Sequence, residues 1–300
     1  MTEPDSFADE RKGHHGHGHS HGHDGPFDWS VRGDQLVSEA EISAPMVDQA
    51  LGWLVERLPD ARAVLDVGSG PGVAACRLAQ MLPNASVLAA DGAPPLLAMA
   101  HERAARLGVG DRLTTREVTL PDGLSGLPPA DLIWVSGVVH HMPDPVAALR
   151  ALGGLLRQGG LLAIREGGLP TRFLPDGVAP GLFNRLELIN EELVAEGEHP
   201  AGIVAHEGGW PDLRRAAGLE PAGSRTFLLD IPAPVSRAVH EYLHRWLGMS
   251  QEFVGDRVTD ADAEALARLL DPESPGGVLR RTDVFLLGAS TVHTARPLDT

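Results

Sequence analysis

Three hundred residues with 43% apolar side chains are enough for one large α/β domain with insertions, and the length does not require a second domain. A net charge of −16, from 25 basic against 41 acidic residues with Lys12 as the sole lysine, excludes the clustered cations that nucleic acid or an anionic membrane surface demands. Cys76 is the single cysteine, so no intrachain disulfide forms, and no apolar run approaches the roughly 20 residues of a membrane span.

Residues 1–26 are polar and glycine-rich, and residues 13–24 alternate His with Gly, so this stretch reads as a disordered His-rich tail. Imidazoles on a glycine chain have affinity for Ni²⁺, Zn²⁺ or Cu²⁺, but nothing in the spacing sets a coordination geometry, and no metal site is assigned. The polar, acidic start lacks the pattern of a signal peptide and, with the lone cysteine, predicts a cytoplasmic protein. Residues 27–33 carry Phe27 and Trp29, which fit either a lid over a ligand or an anchor for the tail. From Ser43 and Pro45 a helix is predicted with Val47, Leu51, Leu54 and Leu58 on one face.

The run Val64-Leu-Asp-Val-Gly-Ser-Gly-Pro-Gly72 follows. Residues 63–67 read as a buried parallel strand. Gly68, Gly70 and Gly72 allow a sharp turn and a close approach to a ligand, and the helix predicted from Val73 offers its N-terminal amides to an anion. A dinucleotide fingerprint spaced G-x-G-x-x-G would need glycine at position 73, where the chain has Val73. The spacing D-x-G-x-G-x-G from Asp66 resembles the first motif of the class I S-adenosylmethionine (SAM)-dependent methyltransferases. The resemblance implies a methionine carboxylate and amino group over the turn, with Asp66, Gly68, Ser69, Gly70 and Gly72 in the cofactor site.

A second strand, residues 85–90, ends at Asp91, placed to accept both hydroxyls of a ribose, and Pro94-Pro95 opens a helix that stops at Gly108. After the third strand, the family's acidic adenine contact matches only Glu117, with Val118 beside it, and Thr119 competes for that register.

The string from Ala130 to Pro145 reads as a buried strand that breaks at Ser136-Gly137 and passes through His140 and His141 to a proline-started helix. It resembles the family's fourth-strand motif, which adds Ser136 to the cofactor site. An amphipathic segment with Val146, Leu149, Leu152 and Leu156 leads to Gly159-Gly160 and a strand over 161–165. Residues 281–290 look like the closing antiparallel strand that methyltransferases add. The implied fold is an α/β, Rossmann-like seven-stranded sheet with helical cap insertions at about 169–209 and 232–277. The core lies at about 44–168, 210–230 and 280–295 of a domain spanning 27–300. The first insertion should wall the substrate, and the second either folds back as cap or meets a partner.

Transfer of a methyl group from a sulfonium needs a base only when the acceptor arrives protonated. His140, at the exit of the fourth strand, and Glu166, at the exit of the fifth, are the catalytic candidates, and His141 reads as structural. His206 and Trp210 are left unplaced. The expected function is SAM-dependent methylation of oxygen or nitrogen, with carbon left open, on a small metabolite of the kind secondary metabolism supplies. A homodimer is compatible with the sequence. Two alternatives stand beside it: a nicotinamide-dependent oxidoreductase, disfavoured by Val73 and the closing strand, and a non-enzymatic protein of the same fold that uses the His tail for metal.

Overall fold

The computed structural model describes residues 29–199, 202–205 and 208–298, so the His-rich tail, Phe27 and His206 lie outside the described residues. Seven strands form one sheet in the order β3-β2-β1-β4-β5-β7-β6. They are β1 (Ala63–Val67), β2 (Ser86–Asp91), β3 (Leu113–Glu117), β4 (Ala130–Ser136), β5 (Leu156–Arg172), β6 (Leu219–Ile231) and β7 (Leu286–Pro297). The first five are parallel, and β7 runs antiparallel to both β5 and β6.

Helices cover both faces, so the central strands are apolar throughout instead of alternating with polar residues. On β4, Leu132 and Trp134 point into one core and Ile133 and Val135 into the other. The first core packs against α2 (Ala44–Arg57) and α3 (Val73–Met81), and the second against α5 (Pro145–Gly154). Among the described residues four helices carry proline in their first two positions: α2, α4 (Pro94–Arg106), α5 and the helix Trp210–Ala216; α5 is also capped by Asp144, whose carboxylate accepts the Ala147 N–H at 2.8 Å.

Two strand boundaries differ from expectation. The fifth strand extends over Leu156–Arg172, beyond the expected 161–165, because β7 pairs with it as far as Arg172 and Gly159 and Gly160 are absorbed at a register shift against β4. The closing strand begins at Leu286 and not at Arg281, since Arg281 turns back onto Asp283 through two hydrogen bonds of 2.9 and 2.6 Å.

Both insertions form a joint cap. The first carries α6 (Leu182–Glu196), which ends before the short α7 (Trp210–Ala216), and the second carries α8 (Arg237–Val254) and α9 (Asp260–Leu270). Phe173 is fully buried and packs on Phe183 and Trp246, with ring centroids 4.8 and 5.6 Å away. Arg185 of α6 makes a bidentate pair with the buried Asp262 of α9 (2.9 and 2.6 Å). Phe173 and Phe183 therefore hold the cap together, and the second insertion folds back onto the first. Arg103 of α4 bonds to Glu41 of α1 (Trp29–Ile42), which brings that helix over the edge of the glycine turn. No helix among the described residues is long and apolar enough to cross a membrane.

Candidate active site

The carboxyl ends of β1, β2, β4 and β5, with α1 and α8 above them, enclose a cavity. Asp66, Gly68, Ser69, Gly70, Asp91 and Ser136 all line it. The amides of Gly68 and Ser69 donate to the Ala90 carbonyl at 2.8 and 3.1 Å, which ties the turn to β2. The Asp91 carboxylate accepts from Gly70 N–H (2.7 Å) and from Ala93 N–H (2.9 Å).

All three glycines of the turn have positive φ, at 69°, 52° and 71°, which disfavours any side chain there. Their surroundings separate them. A Cβ on Gly68 would lie 2.3 Å from Val138 Cγ2, and one on Gly72 2.5 Å from Ala100 Cβ, whereas one on Gly70 meets no protein atom within 4 Å. Gly68 and Gly72 thus permit the protein's own close packing, and Gly70 keeps the cavity open.

Burial pushes the Asp66 carboxyl up to about 7; a hydrogen bond from the Ala75 backbone opposes this and the charge of Asp91 adds to it. Its Oδ2 and the Ser69 hydroxyl are buried and have no hydrogen-bond partner among the described residues. Unpartnered buried oxygens are costly unless a ligand completes them. A ligand with an ammonium group and a ribose fits this wall, and SAM carries both.

Glu117 and Val118 sit one strand further out. Glu117 pairs with Asp91 across the ladder, and the Val118 N–H donates to the Asp91 carbonyl at 2.9 Å. Both flank Asp91, but neither lines the cavity.

His140 and Glu166 meet each other. Glu166 is 6% exposed, and its Oε2 lies 2.7 Å from His140 Nδ1. Its Oε1 accepts the Val138 and Val139 N–H groups, both at 3.1 Å, which pins the short turn Val139–His141. The His140 carbonyl accepts the Val204 N–H at 2.9 Å, and the His141 ring centroid is 4.0 Å from that of His140. Neither member of the dyad lines the cavity wall itself.

The sequence reading missed Arg165 and Tyr242, both on that wall. A charged residue ending the apolar run 161–164 was the available signal for the first. Tyr242, the only tyrosine, carried none, because its helix reaches the site only through the cap. Trp246, Met249 and Phe253 continue from Tyr242 along α8 at helical spacing and line a second cavity, together with Phe183 and Ile203. Ile203 precedes Val204, so this apolar cavity abuts the loop bonded to His140.

Among solved structures, a SAM-dependent methyltransferase from Geobacter sulfurreducens in complex with S-adenosyl-L-homocysteine aligns over 83% of this chain and 90% of its own, at 19% identity and TM-score 0.45. Among sequence relatives, an uncharacterized protein of Synechococcus sp. is 41% identical over 102 residues, 34% of this chain and 24% of that protein. A trans-aconitate 2-methyltransferase of Methylobacterium radiotolerans is 28% identical over 232 residues, 75% of this chain and 78% of its own. A 27-O-demethylrifamycin SV methyltransferase of Amycolatopsis mediterranei is 28% identical over 193 residues, 63% of this chain and 64% of its own. The chain thus spans about a quarter of the first of these relatives and about two thirds of the last. A family model described as a methyltransferase domain matches residues 65–162, from β1 through the glycine turn into β5. Position 73 is Val, and an antiparallel β7 is inserted between β5 and β6; both depart from dinucleotide-binding sheets. With the turn built from Asp66 to Gly72, they accord with the match of residues 65–162, about a third of the chain, to a methyltransferase domain.

Proposed function

We propose that the chain is one methyltransferase domain, capped by its two insertions, that methylates oxygen or nitrogen of a small-molecule acceptor. The observation that carries the reading is the wall at Gly70: a turn left open by the protein's own packing, beside a buried Asp66 oxygen without a partner. The charge of −16 argues for a small molecule over a nucleic acid. The relatives' named acceptors, trans-aconitate and a rifamycin, belong to those relatives and show that similar chains serve unlike molecules.

SAM, when bound, supplies an electrophilic methyl group on a sulfonium. Asp66, Ser69 and Asp91 hold and orient it, and Gly70 gives it room. Glu166 fixes His140 through Nδ1, so Nε2 is the ring atom left to take a proton. That nitrogen would take the proton that a hydroxyl or ammonium acceptor gives up. The cap excludes water from the exchange.

Equilibrium binding of S-adenosylhomocysteine (SAH) against NAD tests the cofactor. Incubation of the enzyme with labelled SAM and a metabolite extract, followed by a search for products heavier by one methyl group, tests the reaction. Binding of NAD in place of SAH would end the proposal.

A further inference from the structure

Along β5, Leu161, Ala163 and Arg165 alternate onto one face, so a buried apolar row ends in a guanidinium at the cavity wall. Arg165 Nε donates to the Ser290 hydroxyl at 3.1 Å, and Nη1 donates to the Ser136 hydroxyl at 3.0 Å. Both partners are neutral. Of the five N–H groups of an arginine, these two are engaged, and among the described residues no carboxylate pairs with the rest.

The nearby acids are committed elsewhere. Glu166, the next residue, points to the opposite face, where the Val138 and Val139 amides and His140 take its oxygens. Asp91 is held by Gly70 and Ala93. Glu39 on α1 lines the cavity and acts on Tyr242, whose phenol is pushed up by burial and by that carboxylate. Burial pulls the Arg165 guanidinium below its ordinary range, against the pull of Glu166 and Tyr242. A half-buried cation with open donors at a cavity wall is suited to an anion that completes it.

Location says which anion. Of the groups that fit the cofactor, Asp66, Ser69, Gly70 and Asp91 stand at the ends of β1 and β2, and Ser136, which Arg165 holds, stands at the end of β4. Arg165 is two strands from β1, on the far side of β4, a distance of about 10 Å at normal strand spacing. It shares its strand end with Glu166 and, through Glu166, with His140.

We propose that Arg165 anchors a carboxylate of the methyl acceptor, so that the acceptor is a small-molecule acid. The two serine contacts fix the plane of the guanidinium and leave an edge for a two-pronged hydrogen bond. A carboxylate neutralised in this way is a weak nucleophile. It is the handle, and a second group, a hydroxyl or an amine, takes the methyl. The inference rests on the methyl-transfer reading of the same site.

The test uses the full chain, labelled SAM, a panel of hydroxy and amino acids, and the methyl ester of each. Wild type should label acids and leave their esters unlabelled. Arg165→Met should raise KM for a labelled acid by about tenfold or more, the loss of at least one charged hydrogen bond, while SAH affinity stays within about twofold. Arg165→Lys should restore part of that loss, and thermal melts of both variants report folding. Equal labelling of acids and esters, or labelling of neutral compounds alone, overturns the proposal. So does an Arg165→Met protein that binds SAH weakly but 5′-methylthioadenosine normally, since that result assigns Arg165 to the cofactor's own carboxylate. A wild-type chain that binds no SAH is a different outcome and overturns the methyl-transfer reading instead.

Discussion

Glu166 reaches His140 across 26 residues of sequence, with Oε2 2.7 Å from Nδ1, while its other oxygen holds the two amides that begin the turn bearing that histidine. One carboxylate therefore sets both the ring's orientation and the backbone beneath it. His140→Gln should lower turnover by roughly 10² to 10⁴ with SAH affinity unchanged, if the acceptor arrives protonated. Glu166→Ala should also lower the melting temperature, because two amides lose their acceptor at about 1–3 kcal/mol each. Undiminished turnover in His140→Gln would leave the histidine as a structural staple.

The glycine turn divides its labour, and substitutions should show it. Gly70→Val meets no protein atom and should abolish SAH binding at a modest cost in stability from its positive φ. Gly68→Ala drives a methyl group into Val138 and should cost about 1–3 kcal/mol of stability before any ligand is added. Thermal melts with calorimetric titration of SAH separate the two. Equal melting temperatures and equal affinities for both variants would contradict the division.

Asp66 should make SAH binding pH-dependent. Its carboxyl ionises at about 7 in the folded chain against 3.8 ordinarily, so between those values the folded state holds a proton that the unfolded state has released. Stability of the free protein should therefore fall as pH rises from about 4 to about 7 at this residue. Affinity for the cationic amino group of SAH should move the other way, rising with pH through that window and levelling above it. Asp66→Asn should flatten both trends. A wild-type SAH affinity independent of pH between 5 and 8 would place the ammonium elsewhere.

Asp91 has a double duty that complicates its simplest test. Besides facing the cavity it holds Gly70 and Ala93, so Asp91→Ala should loosen the turn as well as remove a ribose contact. SAH affinity should drop by about 1.5–3 kcal/mol for each charged hydrogen bond lost, and hydrogen exchange at Gly70 and Ala93 should accelerate in the ligand-free protein. Protection at those amides equal to wild type would confine Asp91 to the ligand.

What could be read along the chain was local. The strand, glycine turn and helix at 63–81 declare themselves through an apolar run, three glycines and a 3.6-residue period. The lengths of β5 and β7 were not legible, because each is prolonged by pairing with the other across more than a hundred residues of sequence. Glu166 and His140 could each be singled out as a strand-end residue, but not as partners. Arg165 looked like the polar end of a strand. Only the sheet order, which sets it beside Ser136 and Ser290, gives it meaning. Tyr242 enters the site because α8 folds back over the sheet, and no local pattern encodes that return.

The most direct test of the central claim is calorimetric titration of the full chain with SAH, beside Gly70→Val and with NAD as the competing ligand. One molecule of SAH should bind per chain in wild type, none in a folded Gly70→Val, and NAD should produce no heat. A folded wild-type chain that takes NAD, or that fails to bind SAH, would contradict the account.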